Sequence, residues 1–137
     1  MDIRIQAFTL EEKYRDDIVE LLFQLSHERR DVNLENHPNS HFVGAFDKDK
    51  LIGIAQIFIL RKTSFTFGLL EDVIVDERYR GQNIGTRLVR ETINIAKRNG
   101  ANRINLTSRP ERIEARKLFE SLGFMKQDTD VFRLELH

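Results

Sequence analysis

The chain has no cysteine, no tryptophan, only two prolines and two methionines, and no excess of either charge. Each shortage removes a class of function. Without cysteine there is no disulfide framework, no thiolate metal site and no cysteine nucleophile, and a reducing interior such as the cytoplasm is the expected setting. The 22 basic and 22 acidic residues cancel, so neither nucleic acid nor an anionic membrane is an expected partner through bulk electrostatics. No apolar run approaches the ~20 residues of a membrane helix, and Met1 to Gln6 lacks the layout of a signal peptide. A length of 137 residues suits one compact domain, taken as residues 1–137, so a single specific pocket must carry the function. No metal is expected.

What is present is patterned as strands and helices in alternation. Ile3 and Ile5 alternate with Asp2, Arg4 and Gln6, as in a strand with one buried face. Thr9 and Glu12 have the spacing of a capping box, and Tyr14, Ile18, Leu21, Leu22 and Leu25 follow at helical intervals. From Ser26 to Ser40 the chain is polar and aperiodic, a loop suited to lining a substrate mouth. His41 to Phe46 and Leu51 to Leu60, joined by the polar stretch Asp47 to Lys50, predict a hairpin. A further strand starts near Phe65 and runs to Val75, apolar enough for a central position. Leu88, Val89, Ile93 and Ala96 predict a helix stopped at Asn99 and Gly100. Arg103 to Thr107 is strand-like, and Pro110 opens a helix whose stripe of Ala115, Leu118, Phe119 and Leu122 ends at Gly123. Val131 to Leu136 is expected to be the last strand. The order predicts an α/β fold with helices on both faces of a mixed sheet.

The most informative stretch is Glu71 to Leu88, where a buried strand enters Arg80, Gly81, Gln82, Asn83, Ile84, Gly85 and Thr86 and then a helix. Glycine at 81 and 85 and asparagine at 83 tolerate positive φ. They allow successive N–H groups to face one concavity at a helix start, where the peptide dipoles favour an anion. A pyrophosphate fits such a cradle; a tight turn with close helix packing is the alternative. The Gly-Lys-Ser/Thr ending of a triphosphatase loop is missing, as is the three-glycine spacing of a dinucleotide fold.

At this point the chain resembles the GNAT superfamily of N-acetyltransferases. The family's motif is Gln or Arg, two residues, Gly or Ala, one residue, then Gly or Ala, and here it becomes Arg80, Asn83 and Gly85. The resemblance continues through the strand Glu71 to Val75, the helix Ile84 to Arg98, the strand ending Leu106-Thr107-Ser108 and the block Ala115 to Phe124. It implies a mostly antiparallel sheet of six to seven strands and acetyl-CoA as co-substrate. Val73, Ile74 and Val75 would meet the pantetheine arm and the amides from Arg80 through Thr86 the pyrophosphate. The resemblance also implies a V-shaped opening between the Glu71 to Val75 strand and the strand around Arg103 to Thr107, and dimers are common among relatives. Phe119 stands where the family usually has a tyrosine that protonates the leaving thiolate. It can pack against the cofactor but has no proton to give. Tyr79, Thr107 and Ser108 are other candidates for that acid.

A primary amine with a pKa near ~10.4 arrives as ammonium and must lose a proton before it attacks a thioester. Strict alternation places Glu71 on the face of Val73 and Val75 and turns Asp72 away. Glu71 is therefore the expected base, directly or through a water, and Asp72 a carboxylate bonded within the sheet. The Leu70-Glu71-Asp72-Val73 run is similar to the glucosamine-phosphate branch of the family. His37, His41, Arg29, Arg30, Arg109 and Arg112 are candidate contacts for substrate or a cofactor phosphate, with solvated side chains as the alternative. The expected activity is N-acetylation of a small-molecule amine by direct transfer. The alternatives are a peptide or protein acceptor, or an acyl-CoA-binding module without catalysis.

Overall fold

The computed structural model describes residues 2–136, and the chain divides into two compact units, Met1–Thr107 and Ser108–His137. The first unit holds a five-stranded sheet in the order β1-β2-β3-β4-β5. Its strands are β1 (Ile3–Phe8), β2 (Ser40–Asp47), β3 (Lys50–Arg61), β4 (Thr66–Val75) and β5 (Ile104–Asn105). The first four pair antiparallel and β5 pairs parallel with β4. The predicted hairpin is β2–β3, with Lys48 of its turn at φ 55°.

Helix α1 (Arg15–Ser26) joins β1 to β2, and α2 (Ile84–Arg98) joins β4 to β5. They cover opposite faces. Ile18 and Leu21 of α1 lie in one buried cluster with Phe46, Leu51, Ile54 and Ile74 of the sheet. Gly53, the neighbour of Ile54, points the other way: a Cβ placed on it would lie 3.2 Å from Leu88 Cδ1 of α2 and 3.2 Å from Ala45 Cβ. That missing side chain lets α2 press its Leu88, Val89 and Thr92 stripe, all fully buried, against the sheet. The predicted stop of α2 is realised, with Gly100 N–H donating to Lys97 O (3.1 Å) and Ala101 N–H to Ala96 O (3.0 Å). These are the paired bonds that close a helix on a left-handed residue.

The start of α1 departs from expectation. No side chain caps the turn Glu12–Tyr14, the helix proper begins at Arg15, and Thr9 does not act as a cap. Leu10 is held instead by Asn36, whose Oδ1 accepts from Leu10 N–H (2.8 Å) and whose Nδ2 donates to Leu10 O (3.1 Å). Arg15 adds a second tie, donating to Asp31 and to Val32 O. The polar loop after α1 is thereby fastened across the α1 side of the sheet, and its Val32 and Leu34 pack on the same cluster.

The second unit contains α3 (Ile113–Ser121). Its end is as predicted: Gly123 N–H donates to Glu120 O (3.0 Å) and Phe124 N–H to Phe119 O (3.1 Å). The Phe119 and Phe124 rings meet edge to face, 5.8 Å between centroids, supplying the apolar contact that accompanies this motif. Two strand expectations need correction. Arg103 to Thr107 shortens to Ile104–Asn105, and Val131 to Leu136 forms no strand among the described residues, so the sheet has five strands rather than six to seven. Alternation alone does not make a strand when no ladder partner takes its backbone groups. Val131, Phe132, Leu134 and Leu136 are 71–92% exposed. Among the described residues no helix is long and apolar enough to cross a membrane.

Candidate active site

The site starts where β4 leaves the sheet. Val75 is followed by a single turn at Glu77–Tyr79 and then by the loop into α2. Gly81 has φ 83° and Asn83 φ 63°, ψ 16°, the left-handed conformations that the sequence allows at these two positions. Gly85 differs from expectation. It lies in the first turn of α2 with helical geometry, so its contribution is the lack of a side chain rather than a positive φ. The first backbone bond of the helix is Arg87 N–H to Asn83 O (3.1 Å). Among the described residues no protein acceptor takes the amides of Gly81 through Thr86. Six consecutive N–H groups at a helix start, unclaimed and, apart from buried Ile84, in residues that reach solvent, are suited to phosphate oxygens. Arg80 closes one side, its Nε donating to Val75 O (3.1 Å).

Strand β4 has one backbone edge in the sheet and one partly open. It pairs with β5 only at Gly68 and Leu69, so the two strands separate beyond that point. Gly68 N–H donates to Arg103 O (2.9 Å), while Asp76 N–H donates to Ile52 O on the β3 side (2.8 Å). Backbone alternation back from Asp76 turns Ile74 to β3 and leaves the polar groups of Val75 and Val73 on the open side. The polar groups of Val73 and the Val75 N–H are thus open to an added extended chain, while Val75 O already accepts from Arg80 Nε. Ile74 is not open in this way: its side chain sits in the α1 cluster.

A bulge changes which side chains share a face. Glu71 stands opposite Gln56 and Ile74 opposite Ile54, so Asp72 and Val73 together oppose the single residue Ala55. Asp72 has φ 52°, the left-handed geometry of an inserted residue. Partners directly across a ladder lie on one face. Glu71 therefore shares the α1 face with Ile54, Gln56 and Ile74, and the α2 face receives Val73 and Val75. The expectation that Glu71 shares a face with Val73 and Val75 fails because one extra residue reverses the phase of the alternation.

Both carboxyls hold protons more tightly than usual. Burial pushes Glu71 above the ordinary carboxylate value, and the charge of Asp72 adds to this. Asp72, whose side chain still reaches solvent, is raised by the protein packed around it. An acid whose proton is held more tightly through desolvation and a like charge is better suited to taking up a proton than an ordinary carboxylate.

Asp76, buried at 3% exposure, fixes the turn that leads into the loop, and the sequence did not single it out. Its Oδ1 accepts from Arg78 N–H (2.9 Å) and its Oδ2 from Arg78 Nη2 (3.0 Å), while Gln24 of α1 accepts from Glu77 N–H (3.0 Å). The Arg78 hydrogen bond holds the Asp76 carboxyl below its usual range. Its stabilising effect is complete above the unfolded-state value and disappears as pH falls through the lower folded value. Asp76→Asn is expected to lower the urea midpoint at pH 7, with the gap to the parent protein closing below about pH 4. A gap that stays constant with pH removes the ionic role.

Of the remaining candidates, Tyr79 donates its hydroxyl to Asp47 Oδ2 (2.6 Å), and that bond raises its phenol and ties up its proton. Arg29 pairs with Glu20 (3.2 Å), Arg30 with Glu28, and His37 lies 3.6 Å from Glu35. His37 and His41 border an open cleft of about 550 Å³ with Asn36, Ser40, Phe8 and Phe42. In the second unit Phe119 is 9% exposed and serves the close of α3. Gln56, the one strongly polar residue in the run Leu51 to Leu60, went unremarked in the sequence. It donates to Ser40 Oγ (2.9 Å) on the face of Glu71.

The model of the acetyltransferase (GNAT) family matches residues 5–124. The N-alpha-acetyltransferase RimI of Mycobacterium tuberculosis (strain ATCC 25618 / H37Rv) is 35% identical over 89 residues, 65% of this chain and 54% of that protein. N-alpha-acetyltransferase 30 of Schizosaccharomyces pombe is 31% identical over 111 residues, 73% of each chain. The solved structure of the aminoglycoside N-acetyltransferase AAC(6')-Iy in complex with CoA superposes with a TM-score of 0.81 at 16% identity, covering 98% of this chain and 95% of the other. It shares the fold. Two of the curated relatives are matched over only 38% and 54% of their own length. With the family model matching most of its length, the chain belongs to the acetyltransferase (GNAT) family.

Proposed function

We propose that the chain moves an acetyl group from acetyl-CoA to a primary amine of a small molecule, directly between the two bound partners in one domain. The observation that carries this is the row of unclaimed amides from Gly81 to Thr86 beside the open backbone edge at Val73 and Val75. The row suits a diphosphate and the edge suits the amide-bearing arm of a coenzyme A. When bound, acetyl-CoA supplies the acetyl thioester, whose C–S bond gives way to a C–N bond with the acceptor. Arg80 and the loop amides hold and orient the diphosphate. Glu71, ionised, takes the proton that the acceptor ammonium must lose, and its charge draws that cation toward β4. Free N–H groups on the open side of β4 are donors for negative charge that develops on the acyl oxygen. Phe119 packs and carries no proton; solvent is sufficient to protonate a thiolate leaving group. A peptide α-amine is the second reading, favoured by the likeness to two N-alpha-acetyltransferases.

Isothermal calorimetry with acetyl-CoA, followed by thiol release with a panel of small amines and peptides, tests the proposal. We expect saturable one-to-one heat and acceptor-dependent release. Heat without release from any acceptor would make the chain an acyl-CoA-binding module. No heat would overturn the reading.

A further inference from the structure

The α1 face of the sheet continues past the residues that α1 buries. One step beyond the pair Ile54 and Ile74, the ladder sets Phe42, Gln56 and Glu71 in a row across β2, β3 and β4. Two residues further on it sets Ser40, Phe58 and Leu69 in a second row. All six are half-buried. With strands ~4.8 Å apart and a rise of ~3.4 Å per residue, the two rows make a floor of about 10 Å by 7 Å with Glu71 at one corner.

The chemistry of this floor is selective. Phe42, Phe58 and Leu69 are apolar, Glu71 is the only charge, and no lysine or arginine stands in either row. The two neutral polar groups engage each other, Gln56 Nε2 donating to Ser40 Oγ (2.9 Å). A sugar phosphate would find no lysine or arginine in these rows. A polyhydroxylated or polycationic acceptor would bury most of its hydroxyls and ammonium groups against phenyl rings and Leu69, with one carboxylate and the Gln56–Ser40 pair in reach, and unpaired polar groups are costly. An ammonium carried on an apolar body matches on both counts, with charge against Glu71 and hydrocarbon against Phe42, Phe58 and Leu69.

We infer that the acceptor is a primary amine whose neighbouring substituent is aromatic or aliphatic, seated on the Phe42–Phe58–Leu69 floor with its nitrogen toward Glu71. The inference rests on the proposed acetyl transfer at Glu71 and narrows its substrate class. The α-amine of a peptide with an apolar first residue falls within it; amino-sugar phosphates and aminoglycosides fall outside.

The test compares phenethylamine and leucinamide with glucosamine 6-phosphate and kanamycin. In thiol release the apolar pair is expected to have kcat/KM about 10- to 100-fold higher. Calorimetry in the presence of CoA should give heat with phenethylamine and none with glucosamine 6-phosphate. Phe58→Gln should raise KM for phenethylamine about tenfold, leaving kcat and the affinity for acetyl-CoA within about twofold of the parent. Leu69→Gln should do the same, and serves if the Phe58 variant fails to fold. Equal or better turnover of the polar acceptors overturns this inference while leaving acetyl transfer intact. Failure of acetyl-CoA to bind, or of every acceptor to release thiol, overturns the proposed function first.

Discussion

Replacing Glu71 with Gln should lower kcat by about 10²–10⁴ at neutral pH, the range associated with loss of a positioned general base, without changing the affinity for acetyl-CoA. The amide keeps the size and hydrogen-bonding reach of the carboxylate but cannot take the ammonium proton. Turnover should rise with pH through the Glu71 ionisation, and because burial and the charge of Asp72 both push that ionisation up, the acidic limb should lie above the normal carboxylate range. Asp72→Asn removes the second of these causes, so the limb should move toward lower pH with the plateau rate retained. Stability should respond with the opposite sign from activity. The folded state holds the Glu71 proton more tightly than the unfolded chain, so ionising it destabilises the fold as pH rises from the unfolded value through the folded one. Glu71→Gln should therefore unfold at a slightly higher temperature than the parent at pH 7, and at the same temperature at pH 3. A kcat within about twofold of the parent would remove Glu71 from the role of base.

What the sequence made legible, and what it hid, divide at one place in β4. Composition and periodicity placed the hairpin, the central strand, α2 and the ends of α2 and α3, because each depends on local chemistry: an apolar stripe, a turn, a left-handed residue after a helix. The bulge was hidden because strand reasoning assumes strict alternation, and Glu71 and Asp72 fit an alternating strand as well as a bulged one. Two adjacent polar residues inside an otherwise apolar strand, the second an aspartate that tolerates the left-handed region, were the available signal. Gln56 gave a similar one, as a lone polar group in the buried run of β3. The open side of β4 was beyond sequence reasoning altogether, since it depends on how soon β5 stops pairing. Val131 to Leu136 shows the reverse error: a convincing alternation that, in the described residues, has no ladder to join.

Gly85→Asp should separate cofactor binding from folding more sharply than any change in the sheet. Gly85 is the second residue of α2 and stands among the six amides assigned to the diphosphate. An aspartate there suits the helix. It replaces the residue with nearly the poorest helix propensity and puts a negative charge where the peptide dipoles favour one, an effect of about 0.3–1 kcal/mol at such positions. The melting temperature should stay level or rise. For the ligand the same carboxylate is wrong in both size and sign, because it competes for the N–H groups of the first turn and repels the diphosphate that they would hold. With the cradle carrying most of the anchoring, the dissociation constant for acetyl-CoA should increase at least about 100-fold, equivalent to about 2.7 kcal/mol. Calorimetry for binding and thermal unfolding for stability, on the same preparation, read the two signs independently. A loss of affinity together with a loss of stability would point to a disturbed loop, whereas undiminished affinity in a stable variant would place the diphosphate elsewhere and remove the foundation of the proposed function. Gly85 is the discriminating position because its backbone is helical rather than left-handed, so the conformation of the chain does not itself call for glycine there.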